Sequence, residues 1–319
     1  MTRALTVYRA VARASALLPA GVGAEAAQWA GMLAASLPDH DGRRAVAASH
    51  MARVLGRPLR PRERRGMTRE LYANYARYWA ESLRLPAMAP AEVTRSTVVV
   101  GEEHLDAALA EGRGAVIVTP HLGGWEWGAL YLIGRGFAVT VAVEPLHPPD
   151  VFEWFVGFRE ALGMQVVAVG HGGGAGVALL RALRERRVVC LLADRLVAGA
   201  AGVDVQFFDA KLKLPAGPVA LALRAGAPLL AGAVYFGRKA GEHTVVVRPR
   251  LRLAEGPRFR DAVATGAQAV AGELEALVRA APAQWHVVQP MWPGDPELRD
   301  WRAWSRDVLR ALPGRGSRD

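Results

Sequence analysis

Ala115-Val-Ile-Val-Thr-Pro-His-Leu-Gly-Gly-Trp-Glu126 is the stretch that decides the fold. Its first five residues form a buried-strand pattern, and Pro120, which has no N–H to donate to a ladder, ends it. His121 therefore falls at the carboxyl end of a strand, the edge at which open α/β sheets hold their ligands. Gly123 and Gly124 permit a tight turn and the close approach of a bulky substrate. Trp125, Glu126 and Trp127 then open a helix, where a first-turn carboxylate also suits the helix dipole.

Outward from this stretch, short Val-, Ile- and Leu-rich runs alternate with helical segments. Strands are expected at Thr97–Val100, Ala115–Thr119, Ala138–Val143, Gln165–Val169, Val188–Ala193, Pro228–Tyr235 and His243–Val247. Helices are expected at Leu105–Glu111, Gly124–Arg135, Val151–Leu162, Gly176–Glu185, Pro218–Ala225 and Arg260–Ala280. The alternation predicts an α/β fold with a central, mostly parallel sheet flanked by helices. Residues 1–90 read as helical throughout, with a break at Pro19-Ala-Gly-Val-Gly23. The clearest helix there, Gly66–Leu85, sets Leu71, Tyr75, Tyr78 and Leu85 near one stripe, facing either the core or a lipid headgroup layer. The expected organisation is an N-terminal helical, membrane-docking region over 1–90 and an α/β core over 91–319, integrated in one domain.

Composition narrows the function classes. A chain of 319 residues, 51% hydrophobic and 22% charged, can bury a sizeable core. The net charge is +10, and residues 1–90 hold most of it, with 14 Arg against 6 acids. That asymmetry suits an anionic lipid surface or a nucleic acid, although a solvated arginine-rich face accounts for the same charge. No nucleic-acid-binding motif is present, and a nucleic-acid partner is not expected. No run reaches the roughly 18 apolar residues of a membrane-spanning helix, so a membrane contact would be peripheral. The single cysteine, Cys190, excludes an internal disulfide framework and a cysteine-based zinc site, and fits a reducing cytosol.

His121 and Glu126 are the residues that could carry chemistry. On one continuous helix, side chains five positions apart would point about 140° apart and could not meet. With His121 in the preceding turn, the Glu126 carboxylate could swing back, fix the imidazole tautomer and stabilise the imidazolium. A His–carboxylate pair without an activated Ser or Cys suits the deprotonation of a substrate hydroxyl that attacks an acyl thioester. Asp194 follows another predicted strand and could converge on His121 from there.

His121-Leu-Gly-Gly-Trp-Glu126 resembles the H-x4-D/E signature of the lipid A biosynthesis acyltransferase family, and within it most resembles the phosphatidylinositol mannoside acyltransferases of actinobacteria. The resemblance extends over Gly101-Glu-Glu-His-Leu105, Phe158-Arg-Glu-Ala-Leu-Gly-Met164, Leu191-Leu-Ala-Asp-Arg195, Val205-Gln-Phe-Phe208, Leu214-Pro-Ala-Gly-Pro218 and Gln284-Trp-His-Val-Val-Gln-Pro-Met-Trp292. It implies a peripheral enzyme on the cytoplasmic face of the cell membrane. Such an enzyme moves a palmitoyl-like acyl group from acyl-CoA to a sugar hydroxyl of a glycolipid, with phosphatidylinositol mannoside as the expected acceptor. Acyl carrier protein as donor, and another glycolipid or a secondary-metabolite hydroxyl as acceptor, are alternatives. Carried over position by position, His121 is the base, with Glu126 and Asp194 in the catalytic group. Glu144, Arg159, Arg195 and Trp125 are the substrate-binding candidates. Arg159 could hold a phosphate or sugar or pair with Glu144. Leu196 departs from the second acid frequent among relatives.

Other motifs are set aside. Gly170-His-Gly-Gly-Gly-Ala-Gly176 lacks dinucleotide-binding spacing, though a helix start there could meet a CoA phosphate. Gly-x-Ser-x-Gly is absent, and His147, His171, His243 and His286 lack metal-ligand spacing. No metal or resident cofactor is expected, with acyl-CoA as co-substrate.

Overall fold

The computed structural model describes residues 3–298, apart from 40, 147, 170–173, 198 and 254–257. His147, His171 and most of the 170–176 glycine cluster therefore lie outside the described residues.

Four helices come first: α1 (Arg3–Leu17), α2 (Ala20–Ala34), α3 (Arg43–Val54) and α4 (Pro61–Arg84). Pro19 separates the first two, as its position in the sequence implied. α4 begins five residues before the expected Gly66. Pro61 occupies its first turn, where a missing N–H costs nothing, and Glu63 accepts the Arg60 backbone N–H at 3.2 Å. Leu71 and Tyr78 on α4, and Leu85 just after it, are buried, so this stripe faces the core and not a headgroup layer.

The α/β part runs α5 (Pro90–Ser96), β1 (Thr97–Val100), α6 (Glu102–Ala110), β2 (Ala115–Thr119), α7 (Trp125–Gly134), β3 (Val139–Val143), α8 (Pro149–Ala161), β4 (Met164–Ala168), α9 (Ala175–Arg184) and β5 (Val188–Leu192). It continues with β6 (Gly202–Phe207), β7 (Ala210–Pro215), α10 (Gly217–Ala225), β8 (Leu229–Phe236), β9 (His243–Val247) and α11 (Phe259–Ala280). Seven strands form one sheet in the order β1-β9-β8-β2-β5-β3-β4, and every pairing but β8–β9 is parallel.

The handedness of crossovers explains which helices cover which face. The chain moves along the sheet in one direction from β1 to β2, β3 and β4, then returns to β5 and β8. Right-handed connections in opposite directions put their helices on opposite faces. Accordingly α6, α7 and α8 pack in one core cluster with Leu5 and Leu83 of the N-terminal helices, while α9, α10 and α11 pack in the other. The strands alternate between the two, with Val116 and Val118 of β2 on one side and Ala115 and Ile117 on the other. In β5, desolvation pushes the Cys190 thiol up to about 12, as suits an inert thiol.

Besides the short α5, two further features were not expected. β6 and β7 form a separate antiparallel hairpin, turned at Phe208 and Asp209, both with positive φ. Its inner residues Val205, Phe207 and Leu214 pack in the same cluster as α11. Residues 284–298 return across the molecule toward α3, where His50 is held between the Val287 carbonyl and Asp295, each at 3.0 Å.

Gly123 joins the turn after β2 to the rest of the fold. Its φ is +57°, and it bridges Val234 of β8 so closely that a Cβ would lie 1.7 Å from the Val234 carbonyl oxygen. Gly123→Ala is therefore expected to destabilise the protein by roughly 2 kcal/mol or more. Denaturant unfolding measures this, and a midpoint equal to that of the wild type contradicts it.

Candidate active site

The strand order brings the candidate residues together. β2, β5 and β3 are successive parallel neighbours, so their carboxyl ends lie side by side. They deliver His121, then Asp194 and Arg195, then Glu144. Open α/β sheets place ligands along this edge.

His121 is fixed by its backbone as much as by its ring. Its N–H donates to Asp194 Oδ2 at 2.8 Å, and its carbonyl accepts the His286 N–H at 2.8 Å. The ring Nδ1 meets Asp194 Oδ1 at 2.6 Å. Asp194 is fully buried, and Trp285 Nε1 donates to its Oδ2 at 2.7 Å. Burial opposes ionisation, but the His121 charge and the hydrogen bonds from His121 and Trp285 outweigh it. The Asp194 carboxyl is held below its usual range. A carboxylate on Nδ1 makes that nitrogen the N–H donor and leaves the Nε2 lone pair free to take a proton. The His121 side chain is 26% exposed, so the dyad has one buried and one accessible member.

Glu126 stands elsewhere. The expected return of its carboxylate to His121 does not occur: no hydrogen bond or ion pair joins the two among the described residues. Once α7 begins at Trp125, the Glu126 side chain points inward toward α4 and α8. It accepts the Tyr78 hydroxyl at 3.0 Å and the Ser82 hydroxyl at 3.4 Å, and pairs with Arg159 at 3.1 Å. Burial raises its pKa, with Arg159 and Tyr78 opposing.

The suggested Arg159–Glu144 pair is likewise replaced. Arg159 is spent on Glu126 and lies over the Trp125 ring, 4.9 Å from its centroid. Glu144 instead pairs with Arg195, because β3 and β5 are neighbours. Arg195 lines a cavity of about 490 Å³ with Leu196, Lys211, Lys213 and Gln289, beside the hairpin.

Sequence reasoning missed Trp285 and His286 as parts of the site. Tyr75, Tyr78 and Phe236 surround the His286 ring, whose buried Nε2 has no hydrogen-bond partner among the described residues. Burial first, and the His121 charge second, lower its pKa to about 3. The only signal lay in their block of family resemblance, since an isolated Trp-His pair carries no spacing information.

Three comparisons bear on this arrangement. The sequence model described as bacterial lipid A biosynthesis acyltransferase matches residues 2–293. The phosphatidylinositol mannoside acyltransferase of Mycobacterium tuberculosis (strain CDC 1551 / Oshkosh) is 38% identical over 250 residues, 77% of this chain and 76% of that protein. The protein of the same name from Mycolicibacterium smegmatis is 34% identical over 249 residues, 77% of this chain and 78% of that one.

Because native His286 stays neutral down to about pH 3 while the unfolded side chain protonates near 6.5, the unfolded state binds the extra proton between those values. Stability therefore falls as pH drops through that window, by at most about 1.4 kcal/mol per pH unit from this residue. His286→Phe is expected to flatten the profile of unfolding free energy between pH 6.5 and 4; an unchanged slope counts against a buried neutral imidazole.

Proposed function

The chain belongs to the bacterial lipid A biosynthesis acyltransferase family, and from that premise we propose that it transfers a palmitoyl-like acyl group from acyl-CoA to a sugar hydroxyl of phosphatidylinositol mannoside. The observation that carries the chemistry is the His121–Asp194 pair at the ends of β2 and β5. The acceptor rests on the named activity of the mycobacterial relatives. A lipid acceptor is met at a bilayer surface, and no described helix is long and apolar enough to cross one. The protein then works peripherally, on the cytoplasmic face of the cell membrane.

His121 Nε2 takes the proton of the acceptor hydroxyl as its oxygen attacks the thioester carbonyl carbon. Asp194 holds the imidazole in the tautomer that accepts at Nε2 and stabilises the imidazolium that forms. Collapse of the tetrahedral intermediate breaks the carbon–sulfur bond. The imidazolium proton then neutralises the departing thiolate, which leaves as CoA, and the acyl group stays on the sugar oxygen as an ester. Glu126 acts at one remove, through Arg159, Tyr78 and Ser82, by fixing the start of α7 behind the His121 turn. Glu144, Arg195 and Trp125 border the substrate.

His121→Ala should abolish transfer from palmitoyl-CoA to purified phosphatidylinositol mannoside, with kcat falling by about 10²–10⁴ and the fold kept. A mutant with most of its activity left sinks the reading. Asp194→Asn should lower kcat and shift the pH–rate profile, because it alters the group that sets the tautomer. Glu126→Gln should act mainly on stability, since its carboxylate faces Arg159 and not the imidazole. Thermal midpoints and pH–rate profiles of the two variants, measured side by side, separate the roles; a larger profile shift for Glu126→Gln reverses them. Parallel assays with other glycolipids test the acceptor independently of the chemistry.

A further inference from the structure

Seven of the thirteen large apolar side chains exposed among the described residues lie within the first 37. They are Val11, Leu17, Leu18, Val22, Trp29, Leu33 and Leu37, with Trp29 69% and Leu33 65% exposed. On α2 they share one line. At about 100° per residue, Val22, Trp29 and Leu33 fall within about 40° of one another. Ala24 and Gly31 sit on the opposite side, and both are buried. Gly31 lies against the α4 backbone, where a Cβ would come 2.3 Å from the Tyr72 carbonyl oxygen. The inner face of α2 is thus committed to α4, and the apolar stripe points away from the fold.

That stripe ends at a strongly basic cavity. Ala35 and Ser36, just past α2, form one wall of a space of about 690 Å³. Arg44, Arg62, Arg64, Arg65 and Arg69 line the rest, with Asp39 the only carboxylate in the lining. Asp39 is used by Arg44 at 3.6 Å. Arg62, Arg64, Arg65 and Arg69 make no ion pair among the described residues.

We propose that the α2 stripe and this arginine cavity together form the surface that docks the protein on an anionic bilayer, with Trp29 and Leu33 entering the acyl boundary and the arginines taking lipid phosphates. Apolar chains set beside unpaired arginines match the layering of an interface, hydrocarbon beneath anionic headgroups. Charge complementarity selects this occupant: a basic rim fits anionic headgroups, while a nucleic acid would leave the Trp29 and Leu33 side chains in water. The surface deepens the peripheral location proposed above, yet its binding is readable whether or not acyl transfer occurs.

The test is cosedimentation of the full chain with phosphatidylglycerol and with phosphatidylcholine vesicles, at low and high salt. Wild type is expected to sediment with the former and not the latter. The triple variant Arg64→Gln, Arg65→Gln, Arg69→Gln should lose roughly a hundredfold in affinity, at about a factor of five per arginine. Trp29→Ser with Leu33→Ser should lose the salt-resistant fraction, because screening leaves only apolar insertion. Both variants should keep the wild-type thermal midpoint and their activity on detergent-dispersed acceptor. Wild-type binding by both variants overturns the proposal. So does a dimer that Trp29→Ser with Leu33→Ser dissociates without any change in sedimentation, since a second copy then covers the face. Truncation after Leu298 should leave vesicle binding intact; loss of binding by that truncation alone would assign docking to residues 299–319 and end the proposal.

Discussion

The contact between His121 and Asp194 is the constraint on which the site depends. A carboxylate with no exposure to water is costly unless donors surround it. Here one oxygen takes the imidazole N–H, and the other takes the His121 backbone N–H and the Trp285 indole. These donors come from two distant parts of the chain. The His121 turn requires Pro120 to end β2 and Gly123 to pass against β8. Trp285 requires the chain after α11 to return to the sheet, which the Leu122–Trp285 bridge accomplishes. The accessible imidazole is therefore held by the least accessible acid in its neighbourhood.

A second buried carboxylate, Glu126, is satisfied by a different logic. Its partners Tyr78 and Ser82 stand on α4 and Arg159 on α8, so its charge ties α7 to two helices that come from distant parts of the sequence. The two carboxylates divide the labour. Asp194 orients the imidazole, and Glu126 secures the helix that follows it. The Glu144–Arg195 pair adds a third link at the ends of β3 and β5, and Arg195 also lines the cavity beside the hairpin.

Much of the fold was legible because its signals are local. Val- and Ile-rich runs closed by Pro or Gly marked the sheet strands, and helical boundaries mostly came within a few residues. His121 was legible for the same reason, since strand, proline and glycine turn are adjacent in sequence. Its acid partner was not securely so. Spacing suggested Glu126, five residues away, with Asp194 as a second candidate at another strand end; the contact is made by Asp194, 73 residues on, through the adjacency of β2 and β5. Both residues were readable as strand ends, but strand order, which makes them neighbours, is a property of the folded sheet. The exchange of partners between Arg159, Glu144, Glu126 and Arg195 has the same origin. The β6–β7 hairpin escaped notice because Phe208-Asp209 is not a common hairpin turn, and Phe208 earns its positive φ by being buried. His286 and Trp285 gave no periodic signal at all.

The basic N-terminal region was read from its sequence only as a run of helices, without their packing. α4 supplies the reason, since it serves several neighbours at once. Its Leu71 and Tyr78 face inward, and Tyr72 carries the backbone against which Gly31 of α2 rests. Glu81 pairs with Arg77 at 2.8 Å and with His243 of β9 at 2.9 Å, anchoring the helix to the sheet. Tyr78 and Ser82, on the same helix, hold Glu126. The Leu71–Tyr78 face of this helix is taken up by these internal partners, which leaves its arginine-rich first turns outward. A small residue at Gly31 lets α2 spend its inner side on α4 and keep a line of large apolar residues outward. One helix thus separates the exposed apolar stripe from the buried carboxylate behind the His121 turn, and braces both.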